Sequence, residues 1–356
     1  MQPPATQPPA AKRLALTMGD PTGVGPEVIA AVWSSDEVHL LSRPIVLGDP
    51  EVMRRAVALR GSAVEVVETD DPAEAFAATG LGRMACLPCG EHDLAGLAPG
   101  AVDARSGRAA YDAIVRGARL ALAGEADGVV TAPISKAALH AAGLEYPGHT
   151  ELLAELCGVS DFAMMLYLPP ELTPACPVGL GVVHVTLHES VRTAIDTLSL
   201  EGVLEKCRLA DGVVRRLSAG YDRIGASPRI GVGALNPHAG EGGLFGDEEQ
   251  RIIAPAVEHA RAAGVDARGP FPADTLMVRA VGGEFDAVVA MLHDHGHVAL
   301  KLIAMHGAVN VTLGLPIVRT SVAHGTAADL AWKGVAETSG MHAAVRAAAL
   351  LADRRG

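Results

Sequence analysis

Asp286-Ala-Val-Val-Ala-Met-Leu-His-Asp-His-Gly-His-Val-Ala-Leu-Lys301 is the stretch that decides the fold. Residues 287 to 292 are all apolar and bounded by Asp286 and His293, the pattern of a strand buried on both faces. Strands of that kind belong to mostly parallel sheets covered by helices, where ligands bind outside the carboxyl ends. His293, Asp294, His295, His297 and Lys301 therefore fall where a site is expected. His295 and His297 are equally compatible with capped or core side chains. His293 is not, because two other isolated histidines end similar apolar runs.

Those runs are Gly179-Leu-Gly-Val-Val-His184-Val-Thr-Leu-His188 and Pro228-Arg-Ile-Gly-Val-Gly-Ala-Leu-Asn236-Pro237-His238. Three strands thus end in His184, His238 and His293. Three neutral imidazoles that leave coordination positions open suit a catalytic divalent metal doing Lewis-acid work on a hydroxyl or carbonyl oxygen.

With 356 residues, 49% of them hydrophobic, the chain can build two domains and a large core without staples. A net charge of −12 argues against a nucleic-acid grip, which needs a basic face, and favours a small-molecule partner. Five scattered cysteines point to a reduced compartment, and the lone Cys86-Leu-Pro-Cys89 lacks the second pair of a zinc knuckle. Residues 1–12, with Gln-Pro-Pro-Ala at 2–5 and again at 7–10, read as an extended tail outside the fold. No apolar run reaches a membrane span or a signal-peptide core, so a cytoplasmic location is expected.

From Arg13 onward, elements alternate. A strand over 13–18 leads into Gly19-Asp-Pro-Thr-Gly-Val-Gly-Pro-Glu27 and a helix to about Trp33, with Pro26 at its first position and Glu27 complementing the positive helix end. The third glycine of the dinucleotide fingerprint is missing, so a tight turn presenting backbone amides is the reading. Strands follow at 43–48 and 62–68 with a helix over 51–60 between them. Residues 81–107, rich in Gly and Pro, read as loop. Ser106 is the expected cap of a helix over 107–123. A strand over 126–132 precedes a helix starting at Ser135-Lys136. Thr150 suits an N-cap, while His149 offers a donor to an anion at that helix start. Asp247 is the expected cap of a helix to Ala263, and Asp274 is either a cap or an acid/base group. Asn310, Arg319 and Lys301 together suit a carboxylate or phosphate.

Taken in order, several motifs resemble the NAD-dependent 4-hydroxythreonine-4-phosphate dehydrogenase family of pyridoxal phosphate biosynthesis. They are Gly19–Glu27, Thr131-Ala-Pro-Ile-Ser-Lys136, Gly148-His-Thr-Glu151, Leu235-Asn-Pro-His-Ala-Gly-Glu-Gly-Gly243, Pro272-Ala-Asp-Thr275, His293-Asp294 with Gly296, and Asn310–Pro316 through His324-Gly-Thr-Ala327. The resemblance covers nearly all of residues 13–350. It implies metal ligands at His184, His238 and His293, zinc above cobalt, magnesium or manganese. It also implies substrate contacts at His149, Thr150, Lys301, Asn310 and Arg319, with Lys301 or Asp274 as proton carrier. The family's fold is similar to that of isocitrate and isopropylmalate dehydrogenases, whose nucleotide loop has the form of His324-Gly325-Thr326-Ala327-Ala328-Asp329 with Lys333-Gly334. NAD or NADP would bind there.

The implied architecture is two α/β/α domains, residues 13–140 plus 305–354 and residues 141–304, in a homodimer whose active site lies in the cleft and at the dimer interface. Two departures, His188 beside the first metal histidine and His295 within His293–Gly296, with Gly296-His297 and Lys301-Leu302, look more like paralogues. Those act on threonate or erythronate phosphates, or on a dihydrodiol of terephthalate. The implied reaction is oxidation of a phosphorylated 3-hydroxy acid to a β-keto acid, then decarboxylation. The rivals are a metal-dependent transferase or hydrolase without a nucleotide, and a non-enzymic binding protein, which would not need three strand-end imidazoles.

Overall fold

The computed structural model describes residues 11–352 apart from 222, 224 and 226. Residues 1–10 of the expected tail and 353–354 of the first expected domain lie outside the described residues, and Lys12 already opens the first strand. The strands are β1 (Lys12–Thr17), β2 (Ser42–Gly48), β3 (Glu65–Glu68), β4 (Arg83–Pro88), β5 (Gly128–Thr131), β6 (Ala163–Leu168), β7 (Leu180–His184), β8 (Arg229–Gly233), β9 (Asp266–Phe271), β10 (Ala287–Ala290), β11 (Val309–Leu313) and β12 (Arg319–Val322). They form one sheet of 12 strands in the order β3-β4-β2-β1-β5-β12-β11-β6-β7-β10-β8-β9.

Pairing is parallel from β3 to β12 and again from β7 to β9. Between these blocks, β11 runs antiparallel to β12 and to β6, and β6 antiparallel to β7. The expected mixed α/β architecture is present. The site, however, is not simply at a row of strand ends, because the two parallel blocks point in opposite directions and meet on an antiparallel centre.

Side-chain alternation makes that centre two-faced. Met165, Tyr167, Val309, Val311 and Val322 point into the main core. Met164, Leu166, Asn310, Arg319 and Ser321 point the other way and face a cavity. Register aligns them: Met164 pairs with Thr312, Thr312 with Arg319, and Asn310 with both Leu166 and Ser321.

Several local expectations are corrected. Residues 81–107 are not all loop, because β4 sits between β2 and β3 with Met84, Ala85, Cys86 and Leu87 fully buried. Its few apolar residues between Gly82 and Pro88 resemble punctuated coil until a sheet covers both faces. The following helix runs Ala104–Leu122 and is capped by Asp103, which accepts from the Arg105 amide at 2.8 Å. Ser106 lies in its first turn, donating to the Asp103 carbonyl at 2.8 Å. A carboxylate outcompetes a hydroxyl as the acceptor for free helix N–H groups.

Thr150 likewise sits inside helix His149–Cys157, whose cap is Gly148. Asp247 caps nothing through its side chain. The segment starts as a wide turn, Glu249–Ile253, and continues as helix Ala254–Ala262. Asp274 is not an N-cap either, since Pro272 holds that position. Among the described residues no helix is long and apolar enough to cross a membrane.

Candidate active site

Two cavities of about 340 and 480 Å³ lie on the polar face of the central strands. Both are walled by Lys136, His149, Met164, His188, Asn310 and Arg319, so they form one cleft. Lys136 opens helix Lys136–Ala141, whose cap Ser135 accepts from the Ala138 amide at 3.2 Å. His149 opens the next helix, whose first turn, with Gly148, Thr150 and Glu151, lines the same space.

The floor is polarised by Arg319, only 2% exposed. Its guanidinium donates to Thr131 Oγ1 at 3.2 and 2.8 Å and to Thr312 Oγ1 at 2.9 Å. None of the ion pairs found among the described residues involves it. Burial pulls its pKa down to about 9, which leaves it charged at neutral pH. Its hydrogen bonds go to neutral hydroxyls and the Glu151 carboxylate on the cleft wall acts on it only through space, so the buried cation is incompletely compensated. Around it, His149 Nε2 and Asn310 Oδ1 are buried without a partner. Lys136 and Lys301 add two further cations to the walls.

The other wall is imidazole. The apolar run of β10 gives way to helix His293–Ile303, so His293, His297 and Lys301, four residues apart, share one helix face. His184 ends β7 and is 1% exposed. His297 Nδ1 lies 3.1 Å from His184 Nε2 and 3.2 Å from the His293 carbonyl. The His293 and His297 rings stack at 3.7 Å, while His184 to His293 is 6.2 Å and His188 to His293 is 5.9 Å between centroids.

Burial, reinforced by neighbouring imidazoles, pushes His184 down to about 3 and His297 to about 4, and lowers His188 as well. Burial thus favours the neutral form of His184, His188 and His297, the state in which imidazole binds a metal. His293 Nδ1 lies 2.7 Å from Asp294 Oδ1, the carboxylate contact that commonly orients a metal-ligating imidazole. His184 Nδ1 is buried without a partner.

Not every expected residue joins them. His238 is exposed in a segment whose residues 238–242 all have positive φ, with its ring nearest Phe245 at 6.4 Å. Asp274 is exposed, its carboxylate accepting from the Thr275 amide at 2.8 Å. Both follow strands, β8 and β9, beyond β10, and neither lines the cleft. His295 does not line it either. Among the described residues no group of three or more His, Cys, Asp or Glu side chains is arranged to hold a metal ion.

Thr150 lines one of the two cavities. His324 and Gly325 line the other, whereas Thr326 turns its carbonyl to the Val24 amide at 3.0 Å, Ala327 is left-handed at φ 44°, and Asp329 is exposed. Thr131, Thr312 and Glu151 are site residues that sequence reasoning missed. The two threonines carried no signal beyond being polar positions in apolar strands.

The family model for the pyridoxal phosphate biosynthetic protein PdxA matches residues 41–348. The chain is 48% identical to the 4-hydroxythreonine-4-phosphate dehydrogenase of Geobacter metallireducens, over 97% of this chain and 96% of the relative. It is 43% identical to the D-threonate 4-phosphate dehydrogenase of Pectobacterium atrosepticum, over 96% and 99%. The crystal structure of a 4-hydroxythreonine-4-phosphate dehydrogenase from Klebsiella pneumoniae matches with a TM-score of 0.81 at 42% identity, covering 96% of this chain and 100% of that one.

Proposed function

Since the chain belongs to the family of the pyridoxal phosphate biosynthetic protein PdxA, we propose that this oxidoreductase converts a phosphorylated 3-hydroxy acid to a β-keto acid and then decarboxylates it. The observation that carries the proposal is the polarity of the cleft. One end holds a buried guanidinium with no carboxylate hydrogen-bonded to it, and the other an imidazole cluster in which burial favours neutral His184 and His297.

The phosphate fits the first end. Arg319 supplies charge, the Asn310 side chain supplies hydrogen bonds, and His149 supplies a ring nitrogen and its helix start. Thr150 belongs to the same helix turn.

The second end fits a divalent metal. His184, its ring kept neutral by burial, and His293, 6.2 Å away between ring centroids, offer two ligands from one chain. The third, His238, lies on the outer flank with Leu244 and Phe245 exposed beside it, and we assign it to the site of a second copy of the chain. Asp274, on the same flank, would serve that copy too. When bound, the metal supplies Lewis acidity to the hydroxyl and carboxylate oxygens, while NAD or NADP held at His324–Asp329 accepts hydride.

The chain's own residues do the rest. The floor fixes the phosphate, so the reacting carbon's distance from the imidazoles is set by substrate length. Lys301, one turn beyond His297, carries the proton leaving the hydroxyl and returns one to the carbon that loses carbon dioxide. His188 and His297 border the reacting end, where an amino or hydroxyl neighbour of the hydroxyl is read.

The test is a substrate panel with detection of reduced nicotinamide and released carbon dioxide. 4-Hydroxythreonine 4-phosphate and D-threonate 4-phosphate should both turn over, and their dephosphorylated forms should lose kcat/KM by roughly 30-fold or more, since an unpaired buried charge costs about 2–5 kcal/mol. Preference for an unphosphorylated dihydrodiol dicarboxylate would overturn the proposal.

A further inference from the structure

Residues 323–338, between β12 and helix Ser339–Leu351, contain no regular structure. Two non-glycine residues, Ala327 at φ 44° and Trp332 at φ 59°, are left-handed. Backbone in that region keeps one shape only where its surroundings impose it. Here the surroundings are the turn and helix that follow β1. The Val24 amide donates to the Thr326 carbonyl at 3.0 Å, and Trp332 Nε1 donates to the Pro21 carbonyl at 2.9 Å. A Cβ on Gly23 would come within 2.9 Å of Thr326 Cβ, so the two backbones are in close contact.

At the centre of this contact is Glu27, 1% exposed. It lies in the first turn of helix Gly25–Trp33, where its charge favours the helix end, but its carboxylate is spent elsewhere. Oε1 accepts from the Trp332 amide at 2.7 Å and Oε2 from the Gly334 amide at 2.9 Å. Arg60 donates to the Gly334 carbonyl at 2.6 Å, and Arg55 stacks on the Trp332 ring at 4.6 Å. The return leg of the loop is clamped, which leaves His324 and Gly325 at its start presented to the cleft.

We propose that Glu27 is a positioning residue for the dinucleotide, bracing the loop from behind without touching the ligand. This rests on His324–Asp329 being the nucleotide loop. A carboxylate is the right group because it has two acceptors and no donor, matching two main-chain N–H groups two residues apart. In Glu27→Gln, one end of the amide would turn N–H toward N–H.

The experiment measures the Kd and KM of whichever of NAD or NADP the wild type binds, beside the KM of the phosphorylated acid and the melting temperature. In Glu27→Gln the cofactor Kd and KM should rise about tenfold or more. Substrate KM and kcat at saturating cofactor should stay within about twofold, because the brace is remote from the reacting atoms. Trp332→Phe, which keeps the main-chain bond to Glu27 but loses the bond to Pro21 and the larger ring under Arg55, should show the same split, and it carries the test if Glu27→Gln does not fold. Unchanged cofactor affinity beside a binding wild type overturns the brace alone, as does an equal loss of kcat and both KM values. A wild type that binds neither dinucleotide overturns the nucleotide loop, and the brace with it.

Discussion

Arg319 is a cation set into the middle of a sheet, held by two hydroxyls where a structural arginine would have a carboxylate. Replacing a buried charge by an apolar side chain of similar volume is often neutral or stabilising, because its desolvation is no longer opposed to folding. Arg319→Met should therefore unfold within about 1 kcal/mol of the wild type or be more stable. It should nonetheless lose turnover of phosphorylated substrate. Inorganic phosphate should raise the melting temperature of the wild type and not of the variant, since only a state with a differential affinity is stabilised by ligand. A variant several kcal/mol less stable, with phosphate binding intact, would make Arg319 a fold residue instead.

At the scale of elements, the helix His293–Ile303 converts sequence spacing into a site. Its start at the end of β10 puts His293 beside His184, and its turn adds His297 and Lys301. His184→Ala and His293→Ala should each bind far less zinc by calorimetry, the metal-free melting temperature staying close to that of the wild type for the half-buried His293 and falling for the buried His184, whose removal leaves a cavity. Full zinc binding in both would remove the site. Much of this was legible: the runs ending in His184 and His293 stand out because β7 and β10 carry no polar residue before those histidines. The floor was not. Its geometry depends on β6, β11 and β12 pairing antiparallel, and nothing local to Ala163–Leu168 states which distant strand it will meet or in what register. The role of Arg319 follows from that register, since Thr131 and Thr312 reach it only across the ladders. Caps were misjudged at Ser106 and Thr150 for a simpler reason, that a competing residue stood within three positions.

For the whole molecule, His238 and Asp274 stand apart from the cleft they were expected to join, on the flank beyond β10. If a second copy receives His238, mixing inactive His184→Ala and His238→Ala chains should restore activity to about a quarter of the wild-type value, from hybrid dimers with one intact site. No recovery after verified subunit exchange would mean that His238 acts within its own chain or not at all. The continuous sheet has a mechanical consequence. Because the ladder runs unbroken through β12, β11, β6 and β7, the floor resists folding shut as a door would, and any closing over a substrate has to come from the rims: the helix starts at Lys136 and His149 and the helix from His293. If the proposed assignment holds, phosphate grip and substrate choice are separated in the material itself, the first built into a stiff plate and the second carried on parts that can shift or be exchanged without disturbing it.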